Sequence, residues 1–177
     1  MNRAVFLDRD GVINHNEVRD GRPRGPETPE AFVILPGVKE AIEAFHAAGF
    51  LVIVATNQPN LPRDVVEAMH AKMRASLKLD DIKICWHADS DNCACRKPKP
   101  GLLLEAAKER GILLEQSWMI GDRWRDVEAG KAAGCRTVFI DYRYTGEPRP
   151  RAPDVTVGSL IEAVPFVLGK KVGGPLR

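Results

Sequence analysis

Short apolar runs alternate with amphipathic stretches along this chain of 177 residues. A short apolar run bounded by turn residues is typical of a buried strand, and apolar residues at three- or four-residue spacing are typical of a helix. The pattern predicts strands at 4–7, 50–55, 82–85, 117–120, 137–140 and 155–157, and helices at 38–48, 63–77, 101–110, 125–133 and 160–168. Strands that alternate with helices form right-handed βαβ units on a parallel sheet. The sequence therefore predicts an α/β fold, a Rossmann-like three-layer sandwich with a central parallel sheet, as a single domain over residues 1–177.

The first predicted strand, Ala4–Leu7, runs directly into Asp8-Arg9-Asp10-Gly11. Gly11 permits a sharp turn, so both aspartates lie at the carboxyl edge of the sheet, where open α/β folds place their sites. Carboxylates this close repel each other unless a cation or a proton lies between them. A magnesium ion with a substrate phosphate suits the pair, with one aspartate attacking phosphorus and the other handling the proton of the leaving group. The alternative is an acidic turn without chemistry.

Two later segments carry groups suited to binding phosphate. The second strand leads into Thr56-Asn57-Gln58, whose hydroxyl and amide groups are donors for phosphate oxygens, although Thr-Asn after a strand is also ordinary turn chemistry. Lys97 lies in a proline-flanked loop just before a predicted helix. A cation at that place offsets the charge that develops on a phosphoryl group in the transition state. The alternative for Lys97 is a solvated basic loop.

In a fourth segment, Gly121-Asp122 follows another predicted strand directly, and Asp126 lies in the first turn of the helix after it. Asp122 is suited to complete the oxygen shell of the magnesium ion begun at the first strand. Asp126 has two open interpretations: a further group near the metal, or an acidic first-turn residue that favours the helix dipole.

These four segments, in this order, resemble the motifs of the haloacid dehalogenase-like (HAD) phosphatase superfamily over most of the chain. The resemblance implies that Asp8 is the nucleophile that forms an aspartyl-phosphate. It implies that Asp10 is the general acid and base and lends its backbone carbonyl to Mg²⁺. By the same resemblance, Thr56 and Lys97 hold the phosphoryl group, and Asp122 is the remaining Mg²⁺ ligand.

Three of the four cysteines lie within residues 85–95, close to a histidine. Cys85, His87, Cys93 and Cys95 offer three thiolates and one imidazole, a ligand set that suits a closed, tetrahedral structural zinc site. A redox-active cysteine pair is the competing interpretation, while Cys135 is most simply a small buried residue. Zinc binding would order the loop 85–95 and so hold Arg96 and Lys97, which follow it directly, in fixed positions.

This zinc-binding loop, Leu-Asp-Arg-Asp-Gly and Thr-Asn-Gln resemble the capless branch of the superfamily that contains the D-glycero-D-manno-heptose-1,7-bisphosphate 7-phosphatases and the histidinol-phosphate phosphatases. The resemblance implies a magnesium-dependent phosphatase with structural zinc and no cap domain. The implied substrate is the 7-phosphate of the heptose bisphosphate, with histidinol phosphate or another small sugar phosphate as alternatives. Residues 59–62, Pro-Asn-Leu-Pro, replace the family's Ser-Gly-Ile-Ala and leave the exact substrate open.

Polar and basic residues around the motifs are candidates for contacts with substrate. The predicted substrate-binding residues are Asn16, Arg19, Asn57, Gln58, Arg96 and Arg123. Arg96 and Arg123 stand at family positions that contact substrate, and arginine suits bidentate recognition of a second phosphate. Histidinol phosphate would instead need an acidic pocket, for which Glu17 and Asp20 are the candidates.

The formal net charge of +2 implies no strong field for nucleic acid or anionic membranes, and no apolar stretch approaches a membrane span. The N-terminus lacks a signal-peptide pattern. We therefore expect a small phosphorylated metabolite as partner, no nucleic acid or membrane partner, a cytoplasmic location and, from the resemblance, a monomer. The sequence also argues against two other classes of protein. A zinc-stabilised binding module without catalysis would have lost a motif residue, and a dinucleotide-binding protein would carry Gly-x-Gly-x-x-Gly after the first strand; neither is the case.

Overall fold

The computed structural model describes residues 1–170, and its strands and helices follow the predicted alternation. The strands are β1 (Arg3–Leu7), β2 (Glu17–Arg19), β3 (Arg22–Arg24), β4 (Phe50–Asn57), β5 (Asp81–Cys85), β6 (Trp118–Gly121), β7 (Arg136–Ile140) and β8 (Val155–Val157). The helices are α1 (Val38–Ala47), α2 (Arg63–Ser76), α3 (Gly101–Arg110), α4 (Trp124–Ala133) and α5 (Leu160–Val167). Every predicted element is present with small differences at its ends. Residues 171–177 of the predicted domain lie outside the described residues.

Six strands form one parallel sheet in the order β5-β4-β1-β6-β7-β8. Alternate residues of a strand point to opposite faces of a sheet. In β1, Val5 and Leu7 pack into the core beneath α1, α2 and α5, while Ala4 and Phe6 pack into a second core beneath α3 and α4. A strand that is buried on both faces reads as a continuous apolar run, as β1 does. The predicted three-layer α/β fold is confirmed.

The register of the sheet brings the motifs together. Leu7 lies opposite Val54 of β4 and Ile120 of β6, so the ends of these three strands meet at one edge. Asp8 follows β1 directly, and Asp122 follows β6. Thr56 stands near the end of β4, which pairs with β1 on the side opposite to β6.

The antiparallel hairpin β2–β3 was not predicted, because its two strands are short, polar and largely exposed. It packs against the loop after β7. The backbone N–H of Gly146 donates to the Gly21 carbonyl at 2.9 Å, and Arg22 Nε donates to the Gly146 carbonyl at 2.9 Å. Gly21 has φ +73°, and a Cβ there would lie 2.2 Å from Thr145 Oγ1, so this contact requires glycine. Within residues 1–170 this hairpin is the only insertion between β1 and α1, in agreement with the absence of a cap domain. No helix in the same range is both long and apolar enough to cross a bilayer.

Candidate active site

A buried ion cluster lies at the carboxyl edge of β1. The Lys97 ammonium is 2.8 Å from Asp8 Oδ1 and 2.6 Å from Asp126 Oδ1, and the lysine side chain is only 2% exposed. Asp126 also accepts the backbone N–H of Arg123 through Oδ2 at 3.0 Å. Asp126 is therefore an acidic residue bonded at the start of α4 that pairs with the buried lysine, and its carboxylate also lies near those of Asp8 and Asp122, so both interpretations of Asp126 stay open.

The cluster carries more negative than positive charge. Asp8, Asp122 and Asp126 each offer a carboxylate oxygen, and these oxygens lie within 4.8 Å of one another. Burial, followed by the charge of Asp126, raises the pKa of Asp8 to about 6 against the opposing effect of Lys97. Burial and the neighbouring carboxylates of Asp8 and Asp126 also hold the pKa of Asp122 well above its ordinary value. For Lys97, the carboxylates of Asp126 and Asp8 outweigh burial and raise the pKa, so this lysine stays charged.

The chemistry of Asp122 fits a hard cation. Its Oδ2 accepts the Tyr144 hydroxyl at 2.7 Å and the Asn16 side-chain amide at 3.2 Å. Its Oδ1 is buried and has no hydrogen-bond partner within residues 1–170. Buried carboxylate oxygens are ordinarily bonded, and Mg²⁺ prefers oxygen ligands of this kind. The residues at this edge therefore fit a magnesium ion, which would supply the missing positive charge.

Asp10 is held differently from Asp8. Arg9 Nε and Nη2 donate to its two carboxylate oxygens at 3.0 and 3.1 Å, and the amides of Asn14 and Gln58 donate at 3.0 and 2.9 Å. The Arg9 side chain is completely buried, and its Nη1 lies 3.4 Å from His70 Nε2 on α2. Arg9, Asn14 and His70 were not predicted as site residues, although an arginine between two motif aspartates was a visible signal.

The polar end of β4 organises the neighbourhood of Lys97. Asn57 Nδ2 donates to the Lys97 carbonyl, and the Lys97 N–H donates to Asn57 Oδ1, both at 3.2 Å. Thr56 is buried, and its Oγ1 accepts the Gln58 amide at 2.8 Å. Asn57 thus clamps the backbone of the lysine, while Gln58 links Thr56 to Asp10.

A cavity of about 80 Å³ opens onto the ion cluster. Its lining includes the predicted residues Asp8, Asp10, Asn16, Asn57, Lys97 and Arg123, together with Pro23, Gly25, Arg125 and Asp126, which were not predicted as site residues. A Cβ at Gly25 would lie 2.8 Å from Asp10 Cγ, so the chain after the hairpin approaches the site as closely as glycine allows.

Five other predicted residues are not among those that line the cavity, and one of them is Asp122, described above. Thr56 and Gln58 are buried and are hydrogen-bonded to each other. Arg19 is on the exposed hairpin and pairs with Glu17 at 2.7 Å. Arg96 is paired with Asp89 of the loop 85–95 at 2.7 Å.

The arginines near the site are bound to acidic side chains. Arg125 shares Asp89 with Arg96, at 2.8 Å, and these two arginines lower the pKa of Asp89 to about 2. Arg123 pairs with Glu147 at 2.5 Å. Each of these arginines therefore already has an acidic partner. A substrate phosphate that bound one of them would have to displace that carboxylate or share the guanidinium with it.

The residues predicted to bind zinc converge. Donor atoms of Cys85, His87, Cys93 and Cys95 lie within 4.8 Å of one another. Neighbouring sulfur atoms are 3.1–3.7 Å apart, and His87 Nδ1 is 3.3 Å from Cys95 Sγ and 3.6 Å from Cys85 Sγ. Tetrahedral zinc with bonds of about 2.3 Å separates its ligands by about 3.8 Å. The four side chains therefore fit a single zinc ion with small adjustments.

Comparisons with known proteins agree with the motifs. Residues 14–134 match the model of the haloacid dehalogenase-like hydrolase family. A D-glycero-beta-D-manno-heptose-1,7-bisphosphate 7-phosphatase of Pseudomonas putida is 38% identical over 148 residues, 78% of this chain and 82% of the relative. The enzyme of the same name from Helicobacter pylori is 39% identical over 150 residues, 78% of this chain and 83% of the relative.

Among solved structures, the D,D-heptose 1,7-bisphosphate phosphatase of B. bronchiseptica, complexed with magnesium and phosphate, superposes with a TM-score of 0.76. It is 29% identical, and the match covers 94% of this chain and 98% of that one. The matches in sequence and in fold therefore agree with the strand-end motifs: the chain belongs to the haloacid dehalogenase-like hydrolase family, among its phosphatases.

Proposed function

We propose that this protein is a magnesium-dependent phosphatase that removes the 7-phosphate of D-glycero-D-manno-heptose 1,7-bisphosphate. The observation that carries the phosphatase chemistry is the buried pairing of Asp8 with Lys97 beside Asp122. Asp8, the nucleophilic carboxylate, and Lys97, the fixed cation, line one cavity, and Asp122, which has a buried carboxylate oxygen free for a metal ion, lies close to Asp8. The relatives' names support the choice of substrate, and they specify the β anomer at C1.

Each proposed catalytic residue has a separate task. Asp8 attacks phosphorus through a carboxylate oxygen, the bond from phosphorus to the sugar oxygen breaks, and Asp10 gives that oxygen a proton. Asp10 then takes a proton from water as the water oxygen attacks phosphorus, the bond to Asp8 breaks, and inorganic phosphate leaves. Lys97 offsets the negative charge on the transferring group, and Thr56 belongs to the same phosphoryl-binding set.

Asp8, the backbone carbonyl of Asp10, and Asp122 are the proposed Mg²⁺ ligands. When bound, the ion supplies positive charge that neutralises the phosphoryl oxygens. The surplus of buried carboxylates described above supports this assignment, because it leaves the edge of the sheet short of positive charge.

Binding of the second phosphate is assigned to the arginines and polar groups around the cavity. Arg123 lines it directly, and Arg96 lies next to Lys97 in a loop ordered by its bond to Asp89. Asn16 and Asn57 also line the cavity and are proposed to bind the sugar. The acidic pocket required for histidinol phosphate has no support, because neither Glu17 nor Asp20 lines the cavity.

We also propose that the loop 85–95 binds structural zinc. The distances within the cysteine and histidine cluster support this, as does the way the loop ends beside Arg96 and Lys97. The proposal extends to the whole of residues 1–177 acting as one phosphatase domain with this loop inserted before Lys97. The monomeric state, the cytoplasmic location and the lack of nucleic-acid or membrane partners remain predictions.

The test is phosphate release in the presence of Mg²⁺ from both anomers of the heptose bisphosphate and from histidinol phosphate, with Asp8→Asn as control. We expect the highest kcat/KM for the β anomer, with phosphate lost from C7 and no turnover by the variant. Release from histidinol phosphate alone would contradict the substrate. Wild-type release no faster than that of Asp8→Asn on every substrate would contradict the phosphatase assignment.

A further inference from the structure

The segment that follows β7 reaches into the site through two tyrosines. The Tyr142 hydroxyl donates to the Gly11 carbonyl at 2.9 Å, in the turn that carries the aspartate pair. The Tyr144 hydroxyl donates to Asp122 Oδ2 at 2.7 Å. The two rings lie against each other with centroids 5.7 Å apart. Residues distant in sequence from every motif therefore contact the turns after both β1 and β6.

Arg143, between the tyrosines, has φ +58°, in the left-handed region. For a residue other than glycine this conformation is strained, and it persists only where surrounding contacts hold it. Here the Arg143 N–H donates to Asp141 Oδ1 at 2.9 Å, and the two tyrosine hydroxyls are anchored on either side. Such backbone strain concentrates at functional sites, which points to a functional reason for placing both tyrosines there.

The hydrogen bonds make the two oxygens of Asp122 unequal. Oδ2 accepts from Tyr144 at 2.7 Å and from Asn16 at the longer distance of 3.2 Å, whereas Oδ1 is buried without a partner within residues 1–170. A carboxylate whose outer oxygen is bonded presents its other oxygen in a fixed orientation. Hydrogen bonds of this kind behind a metal ligand commonly determine how well it binds the ion.

We infer that Tyr144 is a positioning residue for magnesium: its hydroxyl fixes Asp122 through Oδ2 and leaves Oδ1 for the ion. The inference rests on the proposed function, because it takes Mg²⁺ as the ion and Asp122 as a ligand. It adds a residue outside the four motifs to the site and gives a reason for the strained backbone at Arg143.

The test is the dissociation constant of MgCl₂ measured by isothermal titration calorimetry without substrate. Tyr144→Phe keeps the ring and its contact with Tyr142 and removes only the hydroxyl. We expect this variant to bind Mg²⁺ roughly tenfold or more weakly than the wild type. Tyr142→Phe is the matched control, since it removes a hydroxyl from the other ring without touching Asp122, and it should bind Mg²⁺ close to the wild-type value. Circular dichroism and thermal unfolding establish that both variants fold.

Equal affinities of the wild type and Tyr144→Phe would overturn the inference. An equal loss in both variants would also overturn it, because the effect would then come from docking of the segment rather than from the bond to Asp122. Failure of the proposed function has a different signature. In that case Mg²⁺ binds and responds to Tyr144→Phe as expected, yet the wild-type protein releases no phosphate from the substrates tested.

Discussion

Asp8 and Asp10 are two residues apart, but the structure predicts that the same substitution changes stability in opposite directions at the two positions. Asp8 is buried among other carboxylates, with a shared lysine as its counter-charge. Asp10 is bonded on both oxygens and is the partner of the completely buried Arg9. The expected outcome is that Asp8→Asn stabilises the Mg²⁺-free protein and Asp10→Asn destabilises it, although both abolish turnover.

The magnitude for Asp8 follows from its pKa. The ordinary value is 3.8 and the folded value is about 6, a difference that corresponds to about 3 kcal/mol. Because the native state holds the extra proton, the contribution of Asp8 to stability is complete below pH 3.8 and is lost as the pH rises through about 6. Asparagine resembles the protonated carboxyl. The free energy of unfolding of Asp8→Asn should therefore exceed that of the wild type by up to about 3 kcal/mol at pH 8, and this difference should disappear below pH 4.

The loss of stability in Asp10→Asn follows from the loss of the negative charge that pairs with Arg9. Arg9 would retain a buried guanidinium without a counter-ion, and breaking a buried ion pair from one side costs about 3–5 kcal/mol. The partial exposure of Asp10, 22% for its side chain, moves the expected cost to the lower end of that range, about 3 kcal/mol.

The assay is urea unfolding at pH 8 and pH 4 in buffer without added Mg²⁺ or chelator, with all three proteins prepared in the same way. The free energies of unfolding of the wild type, Asp8→Asn and Asp10→Asn are compared at each pH. If Asp8→Asn is no more stable than the wild type at pH 8, or if its advantage is the same at both pH values, the account of the carboxylate cluster is refuted. Added Mg²⁺ should stabilise the wild type far more than Asp8→Asn.

Two further predictions concern groups around the site. Removing zinc with a chelator should lower both Tm and kcat, because the loop 85–95 would no longer hold Lys97; metal analysis and phosphate release check this, and unchanged kcat in verified zinc-free protein would contradict it. His70 is buried, and burial followed by the charge of Arg9 lowers its pKa to about 4, so at neutral pH it is an uncharged acceptor for the guanidinium. His70→Leu should therefore cost about 1–3 kcal/mol in urea unfolding, whereas His70→Gln, which keeps an acceptor, should cost less; equal losses would argue against this hydrogen bond.

The motif residues could be predicted because the argument for them is local. A buried strand of a parallel sheet is an unbroken apolar run, and the polar residues directly after it must lie at the carboxyl edge. Once Asp8, Thr56 and Asp122 were assigned to strand ends, the parallel topology placed them at the same edge of the sheet, and the strand order β4-β1-β6 makes them neighbours. The cluster of Cys85, His87, Cys93 and Cys95 could be predicted in the same way, from four side chains able to bind a metal within one short loop.

The contacts of long side chains could not be predicted in this way. Arg19 was expected at the substrate and instead pairs with Glu17 on an exposed hairpin, because two short polar strands carry no periodic signal of their direction. The interaction of Arg9 with His70 depends on where α2 packs against the sheet. These contacts are set by the packing of separate elements, which the spacing of residues in the chain does not encode.

The sequence by itself therefore determined the parallel α/β fold, the placement of the motif residues at the carboxyl edge of the sheet and the grouping of Cys85, His87, Cys93 and Cys95 in one loop, because each depends on short-range pattern and on topology. Only the tertiary structure decided the charge balance of the cluster around Lys97, the acids that occupy the arginines, and the arrival of Tyr144 at Asp122. Those features depend on distances of a few ångströms between residues far apart in the chain. Such distances arise only when the helices and loops have packed onto the sheet.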